Sequence, residues 1–145
     1  MSDTIIVTDA GFGPDPWAGR RVASLAEVTA EHSAVLLPPD TPADTLRPLL
    51  ATLHLVVIPF DSFADGRGFG LARRLRLLGY RRRLRARGHV LADQYAMARR
   101  AGFDEVEITA ALAARQGQEQ WLFRANWQAH DYQARLRGQP LANMI

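Results

Sequence analysis

The sequence predicts an α/β domain with a mainly parallel sheet, and three observations carry that expectation. Apolar runs of strand length recur at Leu53–Pro59, Leu84–Val90 and Phe103–Ile108. Helix-like segments, Phe69–Leu78 and Asp93–Arg100, lie between them with short connections. Strand-to-strand links that each contain a helix require parallel pairing with right-handed crossovers. The expected architecture is a βαβαβ core in a single compact domain over residues 1–145, with a core motif region at 53–108 and a helical C-terminal tail at 110–145.

Each element has its own reason. Thr4–Thr8 is a β-branched run, stopped by the glycine- and proline-dense stretch Asp9–Pro16, which marks a turn. Val22–Glu31 suits a short helix, with Ser24 as N-cap and Glu27 three residues on completing a capping box. Ala34–Leu37 is a second strand ended by Pro38 and Pro39, and Thr41 or Asp44 caps a helix running to about Thr52. Leu53–Pro59 is apolar without interruption, as a strand buried on both faces would be. Phe69–Leu78 places Leu71, Leu75 and Leu78 on one helical face, with Gly79 as its stop. In the next strand Leu84, Ala86 and Gly88 alternate with Arg85 and Arg87, a period of two. Asp93–Arg100 is helical, with Ala96 and Met97 on its apolar side and Gly102 as its stop. The last strand alternates Val106 and Ile108 with Glu105 and Glu107. Gly117 breaks the helix that follows, and Gln118–Arg137 forms another, with Leu122, Ala125, Ala129, Tyr132 and Leu136 along a stripe.

Composition narrows the functional classes. At 145 residues, 48% hydrophobic and 23% charged, the chain has the make-up of one ordinary globular domain. It has no cysteine, which excludes disulfides, thiolate nucleophiles and thiolate-held iron–sulfur, haem or zinc centres. The N-terminus has no basic segment of signal-peptide type, and no apolar run approaches the ~18 residues of a membrane span. The expected compartment is the cytoplasm. All eighteen basic residues are arginine, and eleven of them fall between Arg67 and Arg100 against the single acid Asp93. In a chain of net charge +3, that asymmetry makes one basic face and an acidic remainder. Arg73, Arg74, Arg76, Arg81, Arg82 and Arg83 are the candidates for meeting an acidic partner, although a solvated arginine-rich surface gives the same pattern.

The most informative stretch is Phe63–Arg76, which contains Asp65-Gly66-Arg67-Gly68 between a strand and a helix. Glycines there admit positive φ and close backbone approach, the helix start offers free N–H groups, and Arg67 could clamp a sulfite, sulfate, phosphate or carboxylate. Ligands of parallel sheets gather at the carboxyl ends of the strands. That rule adds Arg85, His89, Asp93 and Gln94 to Asp65, Gly66, Arg67 and Gly68 as the candidate ligand-binding set. The structural alternative has Asp65 capping the helix and pairing with Arg67 or Arg85. Gly66-Arg-Gly-Phe-Gly70-Leu71 departs from a dinucleotide fingerprint: its third glycine comes one residue early, and Leu71 stands where glycine or alanine is needed. That argues against a nicotinamide dinucleotide, and no other cofactor is called for. The histidines are scattered, so no metal is assigned. Aromatics are not interleaved with the arginines, which argues against nucleic acid. Trp121, Phe123, Trp127 and Tyr132 occupy more than one face of the terminal helix, suiting either the core or a homodimer surface.

The runs Phe60-x-x-Phe63-x-Asp65-Gly66-Arg67-Gly68-Phe69, Ala72-Arg73-x-Leu75-Arg76, Leu84-Arg85-Ala86-x-Gly88-x-Val90-Leu91-x-Asp93-Gln94 and Gly102-Phe103-Asp104 resemble the bacterial domain-of-unknown-function family 934. The likeness is strongest over residues 53–108. It implies a small protein of oxidoreductase label, associated with assimilatory sulfite reduction. The partner so implied is a sulfite reductase or its electron carrier. Arg87 and His89 depart from the family pattern, which tends there to apolar and acidic residues respectively. Two expectations follow: an accessory protein that docks through its arginines or holds an oxyanion at the Asp-Gly-Arg-Gly loop, and alternatively a small oxyanion-binding or oxidoreductase-type enzyme using that loop.

Overall fold

In the computed structural model, which describes residues 4–127, the apolar run after Leu53 becomes strand β5 (Leu55–Phe60), near the middle of a seven-stranded sheet. The other strands are β1 (Thr4–Thr8), β2 (Gly11–Gly13), β3 (Ala23–Ser24), β4 (Ala34–Leu36), β6 (Arg83–Gly88) and β7 (Glu105–Thr109). Their order across the sheet is β2-β1-β7-β6-β5-β4-β3. Strands β3 to β7 are parallel, while β1 pairs antiparallel with β7 and β2 antiparallel with β1. The expected class, one α/β domain on a mainly parallel sheet, is what forms.

Because β3 to β7 follow each other in sequence across the sheet, right-handed crossovers send every connection to the same side. Helices α1 (Arg67–Leu77) and α2 (Tyr95–Ala101) lie in these crossovers, and α3 (Ala110–Arg115) and α4 (Gln118–Arg124), which follow β7, pack into the same core. The main core lies there, with Val56, Ile58, Leu84, Ala86, Val106 and Ile108 against Phe69, Leu71, Leu75, Tyr95, Leu112 and Trp121. The opposite face has a second, smaller apolar cluster of Ala34, Leu55 and Val57, covered by Trp17, Val22 and Leu36.

Helix ends follow the sequence signals. After α1, Gly79 takes φ +105°, Tyr80 N–H reaches back to the Leu75 carbonyl, and the chain turns into β6. Gly102 ends α2 in the same way at φ +118°. One expected helix does not form, and another forms as a different kind of helix. Ser24 and Glu27 make their contact, Ser24 N–H donating to Glu27 Oε1 at 3.0 Å, but it closes only one turn, and Ala23–Ser24 pair as a strand. Pairing with β4 holds Ala23 and Ser24 extended, so the turn at Ser24 does not propagate into a helix. Residues 43–49 form a 3-10 helix rather than an α-helix, with Pro48 inside it lacking the N–H an α-helical bond needs. The stretch read as a turn contains β2, whose Phe12 N–H is held by Gln118 Oε1 at 2.7 Å. The terminal helix runs from Gln118 to Arg124, and its expected continuation past residue 127, with Ala129, Tyr132 and Leu136, lies outside the described residues.

Candidate functional site

The loop that leaves β5 begins on Ser62, whose carbonyl accepts from Asp65 N–H at 3.1 Å and whose hydroxyl accepts from Ala64 N–H at 3.1 Å. These bonds aim Asp65 at the start of α1. Its Oδ1 accepts from the Arg67 backbone N–H (3.1 Å) and Nε (2.9 Å), and its Oδ2 from Arg67 Nη2 (2.8 Å). The two-pronged bond from the Arg67 side chain, with the backbone N–H beside it, pulls the Asp65 carboxyl down from 3.8 to about 2. Asp65 in turn holds the Arg67 guanidinium in its charged form, and Asp40 and Asp61 add to the negative field around it. The carboxylate at the head of α1 thus belongs to the chain itself.

The loop glycines serve packing. Gly66 has φ −96°, and neither it nor Gly68 uses positive φ. A Cβ on Gly68 would lie 2.6 Å from the Phe60 ring and 3.0 Å from Ile58, so glycine here lets α1 approach the sheet. The expectation of positive φ at these glycines is corrected on that ground.

The loops after β5 and β6 are tied together. Gln94 Nε2 donates to the Phe63 carbonyl at 3.0 Å while its Oε1 accepts from Leu91 N–H at 2.9 Å. His89 N–H donates to the Phe60 carbonyl at 2.9 Å, and its ring stands edge-on to Phe63 with centroids 5.0 Å apart. Asp65, Arg67, His89 and Gln94 thus gather at one end of the sheet, as the strand-end rule expects. Asp93 is exposed there and pairs with Arg124 of α4 at 2.9 Å.

Arg85 departs from this group. It is 2% exposed, on the sheet face away from the helices, and its guanidinium bonds Asp15 at 2.9 Å, Glu105 at 2.6 Å and Glu107 at 2.9 Å. Burial opposes its charge, but the surrounding carboxylates outweigh burial and hold it more firmly protonated. An Asp65–Arg85 pair is therefore not formed. Period-two alternation puts Arg85 mid-strand on one face, whereas Asp65 sits beyond the strand end. The acids that hold Arg85 were visible as an alternating pair in β7. Asp15, from a stretch expected to be only a turn, had no local signal.

The six candidate docking arginines divide. Arg76 bonds the Gly102, Tyr80 and Arg82 carbonyls and Asp104, stitching α1 to the end of α2. Arg83 pairs with Glu105 at 3.3 Å. Arg81 donates to the Arg76 and Tyr80 carbonyls, and Arg82 lies against the His54 ring nitrogens at 3.1 and 3.2 Å. Arg73 and Arg74 are exposed on α1, and among the described residues their side chains have no hydrogen-bond or ion-pair partner. Leu77, one turn further along α1, is 81% exposed. Of the terminal aromatics, Trp121 is buried and donates to the Gln116 carbonyl at 2.9 Å. Phe123 is exposed, Trp127 donates to Asp9 at 3.3 Å, and Tyr132 lies outside the described residues.

No helix among the described residues is long and apolar enough to cross a membrane. No curated protein and no solved structure matches the chain. Over residues 34–141, a span that holds the Asp65–Arg67 loop, Arg85 and the α1 arginines, the sequence matches the family described as bacterial protein of unknown function (DUF934), and the chain belongs to that family.

Proposed function

We propose that the protein is an accessory component of assimilatory sulfite reduction that docks on an acidic partner, a sulfite reductase or its electron carrier. The sulfur context comes from the association that the family resemblance implies. The observation that supports docking is the outer surface of α1, where Arg73 and Arg74 have no partner among the described residues and flank the exposed Leu77. Charged groups around an apolar contact steer encounter and fix register, and the apolar side chain adds burial. Arg81 and Arg82, at the exposed turn into β6, extend this surface with guanidinium donors left over from their internal bonds. Arg76 and Arg83 serve the fold, Arg76 through the Gly102 carbonyl and Asp104 and Arg83 through Glu105.

The alternative, an oxyanion held at Asp65-Gly66-Arg67-Gly68 in a binding protein or small enzyme, needs Arg67 to leave Asp65. The bidentate pair and the nearby acids Asp40 and Asp61 favour docking over it.

The test is recovery of partners by tagged protein from bacteria grown with sulfate as sole sulfur source. Wild type should bring down sulfite reductase or its electron donor at low salt and lose it as salt rises. Arg73→Glu with Arg74→Glu should recover neither, while Arg67→Ala should retain the partner. Loss in Arg67→Ala with retention in the double reversal would move the function to the loop.

A further inference from the structure

The sheet face away from the helices holds a cavity of about 480 Å³, separate from both the loop and the α1 surface. Its floor comes from neighbouring strands. Val57, Arg85 and Arg87 point to this side from β5 and β6, and Glu107 stands beside Arg87 across the β6–β7 register. Its roof comes from the segment between β2 and β3, where Asp15 Oδ1 accepts from Trp17 N–H at 2.8 Å and holds the indole over the sheet.

Charge within the cavity is unevenly committed. Asp15 and Glu107 each give an oxygen to Arg85, and Glu105 is shared between Arg85 and Arg83. Among the described residues that line it, three arginines, Arg20, Arg85 and Arg87, face two carboxylates, Asp15 and Glu107, so one positive charge is left over. It falls on the two that take no part in the network. Arg87 is half-buried and has no hydrogen-bond or ion-pair partner among the described residues. Arg20 lies over the Trp17 ring, 4.9 Å from its centroid, a contact that uses none of its N–H groups, and has no hydrogen-bond or ion-pair partner among the described residues. Beside these cations stands an apolar wall of Trp17, Val22 and Val57.

We infer that this cavity binds a small organic monoanion, with its acid group on Arg87 and Arg20 and an apolar or aromatic body against Trp17 and Val22. One anion would neutralise the excess charge, and planar guanidinium groups suit a carboxylate or sulfonate. An apolar wall with a few convergent polar groups is the usual make-up of a small-molecule site, and the volume is within the usual range. A bare inorganic oxyanion would leave the wall uncovered and should bind less well. The inference stands independently of the docking surface. Arg87, a departure from the family pattern, is central to it, and the Trp17–Arg20 roof precedes the family match at residues 34–141.

The experiment is an NMR titration of the intact protein, following the Trp17 indole N–H and the arginine Nε–H signals. The probes are benzenesulfonate, benzoate and inorganic sulfate. Benzenesulfonate or benzoate should shift Trp17 and Arg87 saturably, with sulfate at least about tenfold weaker, a difference of about 1.4 kcal/mol. Arg87→Gln should weaken the organic anion by about tenfold or more, and Arg20→Gln, at an exposed position, should weaken it in the same direction. Sulfate binding as tightly as the organic probes would overturn the amphipathic reading. So would shifts that never saturate, that centre on α1, or that keep their midpoint in both variants.

Discussion

On the helix side of the sheet, Val56, Ile58, Leu84, Ala86, Val106 and Ile108 meet α1, α2 and α4 through apolar contact. One residue along the same strands, on the other side, Arg83, Arg85, Glu105 and Glu107 join in a row of ion pairs with Asp15. The helices lie on one face, and among the described residues the second face is covered in part, by the Trp17 segment. The comparison teaches that arginine content alone says little about function here. Arg85 holds a sheet face together, Arg76 a helix end, and the side chains most open to a second molecule are those, such as Arg73 and Arg74, that have no partner among the described residues.

The largest expected effect breaks the charged face. Arg85→Ala takes the guanidinium from Asp15 and Glu107 and leaves Glu105 with Arg83 alone, and should cost about 3–5 kcal/mol in urea unfolding. If the cost stays below about 1 kcal/mol, the row of pairs contributes no more than surface charges do. Arg87→Gln, on the same strand and face but outside the network, should change stability by no more than about 0.5 kcal/mol.

The helix face should be sensitive to volume instead. Gly68→Ala drives a methyl into Phe60 and Ile58 and should cost about 1–3 kcal/mol. Gly66→Ala meets only Phe69, at 3.7 Å, and should lie within about 1 kcal/mol of wild type. Equal costs at the two glycines would remove the packing explanation for the loop. Next, Gln94→Ala removes both its bonds across the loops and should cost about 1–2 kcal/mol, with faster amide exchange at Leu91.

The smallest effect is a titration. Asp65 has a folded-state value of about 2 against 3.8, so its contribution to stability is complete above pH 3.8 and disappears as pH falls through about 2. Its carboxyl carbon shift should report a midpoint near 2, and Arg67→Ala should bring that midpoint up towards 3.8. A midpoint unmoved by Arg67→Ala would mean that the pair does not govern the loop.

Much of the fold was legible because strand alternation and helix stops are local. Leu84 against Arg85, Val106 against Glu105, Gly79 and Gly102 each announce their place within a few residues. The loop was legible in position, since a strand end followed by Asp-Gly-Arg-Gly marks the start of α1, but the use of its glycines was not. Gly68 is set by Phe60, on another element, and proximity of that kind leaves no local mark. The same holds for Asp15 and Trp17, which reach Arg85 and the cavity across a long chain separation. Ser24 and Glu27 show the converse, a correct local contact that pairing with β4 keeps from extending into a helix.

The division of the arginines is tested most directly by combining partner recovery with thermal unfolding in one charge-reversed protein, Arg73→Glu with Arg74→Glu. It should melt with wild type, since neither side chain has a partner among the described residues, and should fail to recover the sulfite reductase or electron carrier that wild type brings down. A reversed protein that still recovers the same partner would contradict docking through α1, and one that unfolds early would show that these arginines belong to the fold.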